Sequence, residues 1–401
     1  MKLVSLKTEN FRNLEPQILE LEDGINVLYG QNASGKTNTL ECAYVFASGK
    51  SFRTRYENEV IRKGEDTAFA EITYSSGNDV KRMSVTWHKS KDAELVRRMT
   101  YEDYELSKAS EFLGNFRAVL FTPGHMSLIK GSPEERRRFM DIALSQISPR
   151  YVYCLNNYIK TLTQKNAYLR KAAFGEKIDK DYLEVLNLQL AKASAVLVKQ
   201  RSGLADSLKV YAKEMYSGLT SSKENLDVRY LSATKENFSD AEYTESRYAE
   251  IYKADMQSEI KQGRTIHGPH KDDLAFYISK NGENDKIPEI AQNGENEEAV
   301  SEFSARSFGS QGQQRSAILA IKLAEGEIFK NITGEYPVLL LDDLLGELDS
   351  QRKKALYALI KDKQAVITHC DKTAPKGVKN VNYVKVDKGR YYPDKPKEDK
   401  K

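Results

Sequence analysis

Between residues 2 and 122 the apolar positions come in short alternating runs. Leu3, Ser5 and Lys7 alternate with Val4, Leu6 and Thr8. The segments Phe69–Tyr74, Met83–His88, Leu95–Tyr104 and Arg117–Thr122 also predict short strands. Ile25–Asn26–Val27–Leu28–Tyr29 is instead a short apolar run and predicts a buried strand, after which Leu40, Ala43, Tyr44 and Ala47 recur at helical spacing. The period changes near residue 132. Ser132–Pro133–Glu134–Glu135 reads as a capping box with proline at the first helical position, and Phe139, Ile142, Ala143 and Ile147 form the predicted buried face. Leu183, Leu186, Leu190, Ala193, Leu197, Leu204, Leu208, Tyr211 and Met215 then mark a heptad-like seam. At about 1.5 Å per residue that helix is roughly 50 Å long. It is expected either to pair with the stretch near Tyr151–Lys171 as an antiparallel arm or to be buried in a bundle. Both readings make residues 130–260 a mostly helical insertion. Strand character returns at Leu274, Phe276 and Ile278. Asn281–Val300, rich in Asn, Gly and Glu, reads as a long flexible loop, and Lys395–Lys401 as a charged tail.

Between the apolar strand and its helix stands Gly30–Gln31–Asn32–Ala33–Ser34–Gly35–Lys36–Thr37, the pattern G-x-x-x-x-G-K-[ST] of a P-loop. A strand that ends in a glycine-rich loop and restarts as a helix aims backbone N–H groups and the helix dipole at one point. Glycine lets the backbone close on a phosphate, Lys36 reaches the β/γ oxygens, and the Thr37 hydroxyl is placed to ligate Mg²⁺. Pro337–Val338–Leu339–Leu340–Leu341–Asp342–Asp343 supplies the matching half. It is an apolar strand ending in two carboxylates, with Asp342 suited to the Mg²⁺ shell and Asp343 to orienting or deprotonating water. Lys36 and Asp342 stand 306 residues apart. Their strands must share a sheet, so the ATP-binding domain is split and everything between is an excursion from it.

Ahead of that strand, Ser310–Gln311–Gly312–Gln313 opens a helix with Ala317, Ile321 and Ala324 on its apolar face. It is similar to the S-x-G-Q core of the ABC-type signature. Small residues at a helix N-terminus suit an anion. The P-loop already covers one side of its own nucleotide, so Ser310, Gly312 and Gln313 make sense against another subunit's γ-phosphate. Asp349 of Gly346–Glu347–Leu348–Asp349 stands where such proteins keep a D-loop, and His369, after Ala365–Val366–Ile367, is a candidate γ-phosphate switch or a solvated loop histidine.

Charge adds a constraint. Lys and Arg number 62 against 58 Asp and Glu, a net of +4, so nucleic-acid contacts must come from local clusters. Two exist: Lys50, Arg53 and Arg55 in the loop after the P-loop helix, and Arg136–Arg137–Arg138. The second spans nearly a full helical turn, so not all three arginines can point the same way. Cys42, Cys154 and Cys370 are scattered without C-x-x-C spacing, which points to unpaired thiols in a reducing compartment. The N-terminus lacks an apolar signal core and no stretch approaches a membrane span, so the protein is expected in the cytoplasm, with no membrane partner.

Taken together the chain resembles the RecF family, bacterial recombination-repair ATPases of the ABC/SMC class. Asn10–Phe11–Arg12–Asn13–Leu14, the P-loop and Gly49–Lys50–Ser51–Phe52–Arg53–Thr54 carry the likeness first. Leu128–Ile129–Lys130–Gly131–Ser132–Pro133 follows, with Arg136–Arg137–Arg138–Phe139 and Asp141. Arg264, Thr265 and Gly268–Pro269–His270–Lys271–Asp272–Asp273 come next, then Phe308–Gly309–Ser310–Gln311–Gly312–Gln313–Gln314–Arg315, Leu341–Asp342–Asp343 and Glu347–Leu348–Asp349. Pro123–Gly124–His125 departs from the family's Pro-Glu-Asp, Lys50 and Lys271 replace its usual arginines, and Asn281–Val300 is longer than typical. The resemblance implies an α/β, ABC-type P-loop ATPase head split in sequence, with a mostly helical lobe inserted. Head residues would be 1–122 and 263–390, the lobe 123–262 and the tail 391–401. It further implies Arg12 as a nucleotide contact, ATP-dependent homodimers, and binding to double-stranded, gapped or junction DNA. Slow DNA-stimulated hydrolysis and work with RecR and RecO to load recombinase complete it. SMC proteins carry far longer coiled coils, and transporter heads lack a helical insertion of this size.

Overall fold

The fully apolar runs become strands covered on both faces. The computed structural model describes residues 1–90, 95–220, 224–234, 244–280, 302–307, 309–372 and 381–394. In it β3 (Ile25–Tyr29), β8 (Ala118–Phe121), β12 (Val338–Leu341) and β13 (Ala365–His369) are buried along nearly their whole length, as strands flanked on both sides must be. With β14 (Val381–Asp387) and β15 (Arg390–Pro393) they form a sheet of order β15-β14-β3-β13-β12-β8. Its pairs are parallel except the β14–β15 edge.

The alternating runs build an antiparallel sheet, order β2-β1-β4-β5-β6-β7. Its strands are β1 (Lys2–Glu9), β2 (Gln17–Glu20), β4 (Thr67–Ser76), β5 (Asp79–Lys89), β6 (Leu95–Tyr101) and β7 (Tyr104–Glu105). Two details differ from the expected pattern. In β1 the buried residues are Leu3, Leu6 and Thr8, because a register shift between Leu3 and Ser5 inserts a bulge and restarts the period one residue later. The single run expected over Leu95–Tyr104 breaks at Glu102 and Asp103, both in the left-handed region that a tight two-residue hairpin turn requires.

Packing divides the chain into two compact units. Unit 1 comprises Met1–His125, Gly218–Ser221 and Ile318–Lys401, and unit 2 comprises Met126–Ser217 and Ser222–Ala317. Apart from the short visit at Gly218–Ser221, the chain therefore returns to the first unit at Ile318, whereas residue 263 was the expected boundary. Strand pairing is the reason. β10 (Asp273–Lys280), which carries Leu274, Phe276 and Ile278, lies between β9 (Glu224–Leu231) and β11 (Glu302–Ser304) in an antiparallel sheet of unit 2 itself.

Unit 1 holds the helices α1 (Lys36–Ser48), the short α2 (Ala109–Phe112) and α9 (Ser350–Ile360). Unit 2 holds the short α3 (Ser127–Lys130), α4 (Pro133–Ser145), α5 (Pro149–Ala173), most of α6 (Lys180–Thr220) and α7 (Glu245–Gln262). One further helix, α8 (Gln311–Thr333), starts in unit 2 and ends in unit 1. α4 begins where expected, but the Ser132 side chain makes no cap hydrogen bond, and the buried face is Arg136, Phe139, Met140, Ala143 and Leu144. Along α6 the seam residues Leu183, Leu186, Leu190, Leu197, Leu204 and Leu208 are all buried. α6 runs antiparallel to α5, with Tyr182 edge-on to Tyr168 at one end and Arg201 bonded to the Tyr151 hydroxyl at the other. α7 completes the group: Tyr252 bonds Asn187 and Ser194 of α6, and Glu259 pairs with Lys165 of α5. The long helix thus packs beside α5 and α7, so the helical arm carries a third helix. Asn281–Val300, Phe308 and Lys395–Lys401 lie outside the described residues.

Candidate nucleotide site

β3 delivers the chain to the P-loop at the carboxyl edge of the parallel sheet, where open α/β sheets bind their ligands. Gly30 is required by space as well as by conformation. Its φ is +154°, and a Cβ there would stand 2.2 Å from the Val386 carbonyl oxygen. Ala33 and Gly35 also have positive φ, and α1 then opens at Lys36 with no acidic residue in its first turn. Its N-terminal dipole is left for an anion. Lys36 Nζ spans the loop, donating to the carbonyls of Gly30 and Gln31 at 2.7 Å each. Ser34 Oγ is buried in the loop without a hydrogen-bond partner among the described residues. Gln31 and Asn32 are exposed on its outer turn.

The second half arrives on β12, two strands from β3, with β13 between them. Thr37 Oγ1 donates to Asp342 Oδ1 at 2.9 Å, a contact across 305 residues of sequence. Thr368, at the end of β13, donates to the same oxygen at 2.8 Å and accepts from the Asp343 N–H at 2.8 Å. Thr368 is a site residue the sequence reading missed. Burial pushes the Asp342 carboxyl above its ordinary range, although the Thr368 and Thr37 hydroxyls pull it down. A hydroxyl and a carboxylate converging on one point are the hard oxygen donors Mg²⁺ prefers, and a cation would relieve the cost of that buried charge. Asp343 is exposed and has φ +47°, a left-handed conformation that costs a non-glycine residue about 1–2 kcal/mol.

Beside the P-loop a cleft of about 890 Å³ is lined by Arg12, Asn13, Ala33, Asn38, Arg53, Arg62 and Lys388, among others. The turn Asn10–Leu14 aims Arg12 at it. Phe11 and Leu14 are fully buried, Asn10 and Arg12 both take positive φ, and the Arg12 N–H bonds the Val60 carbonyl at 2.7 Å. Behind the cleft sits Glu41 of α1, fully buried and absent from the sequence-derived site. It receives Arg12 through two bonds of 3.2 and 2.8 Å, the Ser51 hydroxyl at 2.6 Å and Arg53 at 3.4 Å.

The remaining candidates fall in several places. His369 ends β13, its carbonyl accepting from the Gly30 N–H at 3.3 Å and its Nδ1 bonding within the Asp371 turn. Asp349 is the N-cap of α9, accepting from the Arg352 N–H, which holds its carboxyl below the usual range. Ser310, Gly312 and Gln313 open α8 and belong to unit 2, unlike the P-loop. The Gln313 N–H donates to Ser310 Oγ at 3.2 Å and the Ser310 N–H to Gln313 Oε1 at 2.7 Å, a reciprocal capping box. Of the basic clusters, Lys50 and Arg55 are exposed, while Arg53 is tied to Asn38 and Glu41. Contrary to expectation, Arg136 is buried, with bonds of 2.6 and 2.8 Å to the Asp273 carboxylate, so it is an internal cation and not a DNA contact. Arg137 is half-buried and donates to the Asp272 carbonyl, which leaves Arg138 exposed. Cys42, Cys154 and Cys370 are all free. Among the described residues no helix is long and apolar enough to cross a membrane.

A P-loop head cut in two by a second compact unit is the arrangement of the ABC/SMC class of ATPase heads, and the chain has that fold. Residues 2–391 match the family model for the RecF/RecN/SMC N-terminal domain. The DNA replication and repair protein RecF of Staphylococcus carnosus (strain TM300) is 37% identical over 383 residues, 94% of this chain and 95% of that protein. RecF of Staphylococcus aureus (strain bovine RF122 / ET3-1) is 38% identical over 368 residues, 90% of this chain and 91% of its own. Among solved structures, that of the recombination mediator protein RecF-ATPrS in the RecFOR pathway superposes with a TM-score of 0.82 at 29% identity, covering 98% of both chains. The Smc head domain of Pyrococcus furiosus, at 14% identity and a TM-score of 0.53 over 98% of this chain and 95% of its own, shares the fold. The chain belongs to the RecF family of DNA replication and repair proteins.

Proposed function

We propose that this chain is a slow ATPase that binds ATP with Mg²⁺, dimerises on it, and acts on gapped or junction DNA. The observation that carries the reading is the Thr37–Asp342 hydrogen bond, which unites the two halves of a phosphate-transfer site from opposite ends of the chain. A relative solved as RecF-ATP, with a TM-score of 0.82 at 29% identity, supports ATP as the nucleotide. The P-loop N–H groups, the Lys36 ammonium and the α1 dipole would bind the β- and γ-phosphates, with Arg12 at the cleft. Thr37 and Asp342 would hold Mg²⁺, whose charge neutralises the phosphate oxygens when bound. Asp343 orients water. It is a shorter base than glutamate, so turnover is expected well below the enzyme median of about 10 s⁻¹. Ser310, with Gly312 and Gln313, meets the γ-phosphate bound by a second copy, making a two-fold dimer that ADP does not hold. Asp349 and His369 stand as the D-loop acid and the γ-phosphate sensor.

Lys50, Arg55 and Arg138 are the exposed cations suited to DNA phosphates, with Arg53 shared between DNA and the nucleotide cleft. The relatives named in the RecFOR pathway support RecR- and RecO-like partners, and the same setting supports a cytoplasmic location. Gel filtration with ATP, ADP or no nucleotide, each with and without gapped DNA, tests the reading. A dimer only with ATP is expected. A monomer in every condition would remove the shared-site mechanism.

A further inference from the structure

We infer that Glu41 is a positioning residue that holds both Arg12 and Arg53 at the nucleotide cleft; the inference rests on the nucleotide-binding reading above. Glu41 lies on α1, and its side chain has no exposed surface. A buried carboxylate is costly unless its oxygens are fully engaged. Here they are. Oε1 accepts from Arg12 Nη2 at 2.8 Å and from Ser51 Oγ at 2.6 Å, and Oε2 accepts from Arg12 Nε at 3.2 Å and Arg53 Nη1 at 3.4 Å.

The geometry separates this group from a simple structural ion pair. The two-pronged contact sets the plane of the Arg12 guanidinium, as fork-to-fork pairs do. Arg12 and Arg53 nonetheless keep 19% and 43% of their side chains exposed, and both line the cleft with Ala33 of the P-loop. A second chain of bonds ties the same arginine to the loop. Arg53 donates to the Asn38 side-chain oxygen, Asn38 Nδ2 donates to Asn13 Oδ1 at 2.6 Å, and Asn13 Nδ2 donates to the Ala33 carbonyl at 3.1 Å. Glu59 also approaches Arg12, at 3.9 Å, but Arg62, Lys63 and Lys388 line the same cleft, so its cations still outnumber Glu15, Glu41 and Glu59. Without Glu41 the arginines repel each other and turn to solvent. With it their orientation is set before an anion arrives, the preorganisation that makes a cationic site effective.

The test is a double-mutant cycle read on affinity for a fluorescent ATP analogue, below the melting temperature of every variant. Glu41→Gln keeps the volume, but its amide offers N–H groups to the arginines. It is expected to weaken ATP binding about tenfold, the scale of a lost charged hydrogen bond. On an Arg12→Ala/Arg53→Ala background the same change should add less than about twofold, because Glu41 acts through the two arginines. Full additivity, or unchanged affinity in Glu41→Gln, overturns the inference. Should Glu41→Gln be too unstable to purify, an Arg12→Ala/Arg53→Ala cycle decides: arginines held by one carboxylate are coupled, whereas independent ones multiply. Lys36→Ala keeps the two questions apart. If it leaves ATP affinity unchanged, the nucleotide-binding reading itself fails; if it abolishes binding while the cycles are additive, only the role of Glu41 fails.

Discussion

Each unit pairs an acid with an arginine, and the two pairs end differently. In unit 1 Glu41 holds Arg12, whose side chain stays 19% exposed and lines a cleft. In unit 2 Asp141 holds Arg201 at 2.7 Å, and that arginine is only 4% exposed. Its other donors go to the Tyr151 hydroxyl at 2.8 Å and the Pro269 carbonyl at 2.7 Å. The surroundings of Arg201 are sealed in the same way. His270 Nδ1 bonds the Tyr158 hydroxyl at 2.6 Å, Asp272 takes the Tyr230 hydroxyl and the Ala233 N–H, and Asp273 takes Arg136. Gly268, at φ +134°, admits no side chain: a Cβ would lie 2.6 Å from the Tyr252 hydroxyl and 2.7 Å from that of Tyr158. Apart from the exposed Lys271, the run Gly268–Asp273 is therefore tied into the interior of unit 2. An ion pair whose arginine is buried and bonds inside through each of its nitrogens holds a fold together, while one that leaves a guanidinium at a cleft serves a ligand.

Removing Arg201 should have the largest effect on folding. Arg201→Ala leaves Asp141 and the Pro269 carbonyl without their cation, and breaking such a pair costs about 3–5 kcal/mol. Asp141 keeps 25% of its side chain in solvent, which places the expected loss at the lower end. Urea unfolding measures it. Nucleotide affinity of the folded protein should stay within about twofold of wild type, since the sites share no partner. Normal stability with weakened ATP binding would break the comparison.

A smaller effect, visible only as pH changes, belongs to His270. Burial, helped by the nearby positive charge of Lys271, pushes its pKa from 6.5 down to about 4. Between those values the unfolded chain takes up a proton that the folded one refuses. Stability is therefore complete above pH 6.5 and is lost as pH falls toward 4, by up to about 3 kcal/mol. His270→Gln should flatten that part of the curve, and an unchanged slope would clear His270 of the effect. Asp272 and Glu259, both raised chiefly by burial, contribute with the opposite sign and cancel in the difference between the two proteins. Asp342 in unit 1 is raised too, yet there the ionised form is the one a cation needs, so stability and ligand binding pull apart.

What was legible in the sequence follows the same division. The P-loop and the Leu341–Asp342–Asp343 strand end could be read because their chemistry needs particular residues at particular spacings. Membership of unit 2 could not. Leu274, Phe276 and Ile278 announce a strand, but pairing with Glu224–Leu231 is a long-range choice that no local period encodes. Glu41 and Thr368 were missed for a related reason. A glutamate four residues after a P-loop threonine reads as a surface charge, and only the fold brings Arg12, Ser51 and Arg53 onto it. Arg136–Arg138 were half legible: helical periodicity said they must diverge, and the Asp273 carboxylate decided that Arg136 is the one turned inward.

Ser310 tests whether unit 2 holds an exception to its own rule. Its hydroxyl is already employed as the N-cap of α8, and its partner Gln313 goes on to bond Glu224 at 2.6 Å. Local structure thus explains the residue without any ligand, whereas the proposed dimer needs it to face a phosphate on a second copy. Asparagine and aspartate cap helices about as well as serine, and alanine does not, at a cost of about 1 kcal/mol. Ser310→Ala should therefore lose about that much stability, while Ser310→Asn and Ser310→Asp should stay within about 0.5 kcal/mol of wild type. ATP-induced dimerisation separates the last two. The asparagine is neutral and should permit it, but the aspartate places a negative charge where the γ-phosphate is proposed to bind. Loss of the dimer in Ser310→Asp alone, at unchanged stability, assigns Ser310 to the nucleotide. If Ser310→Asp dimerises with ATP as the wild type does, Ser310 is a helix cap and nothing more.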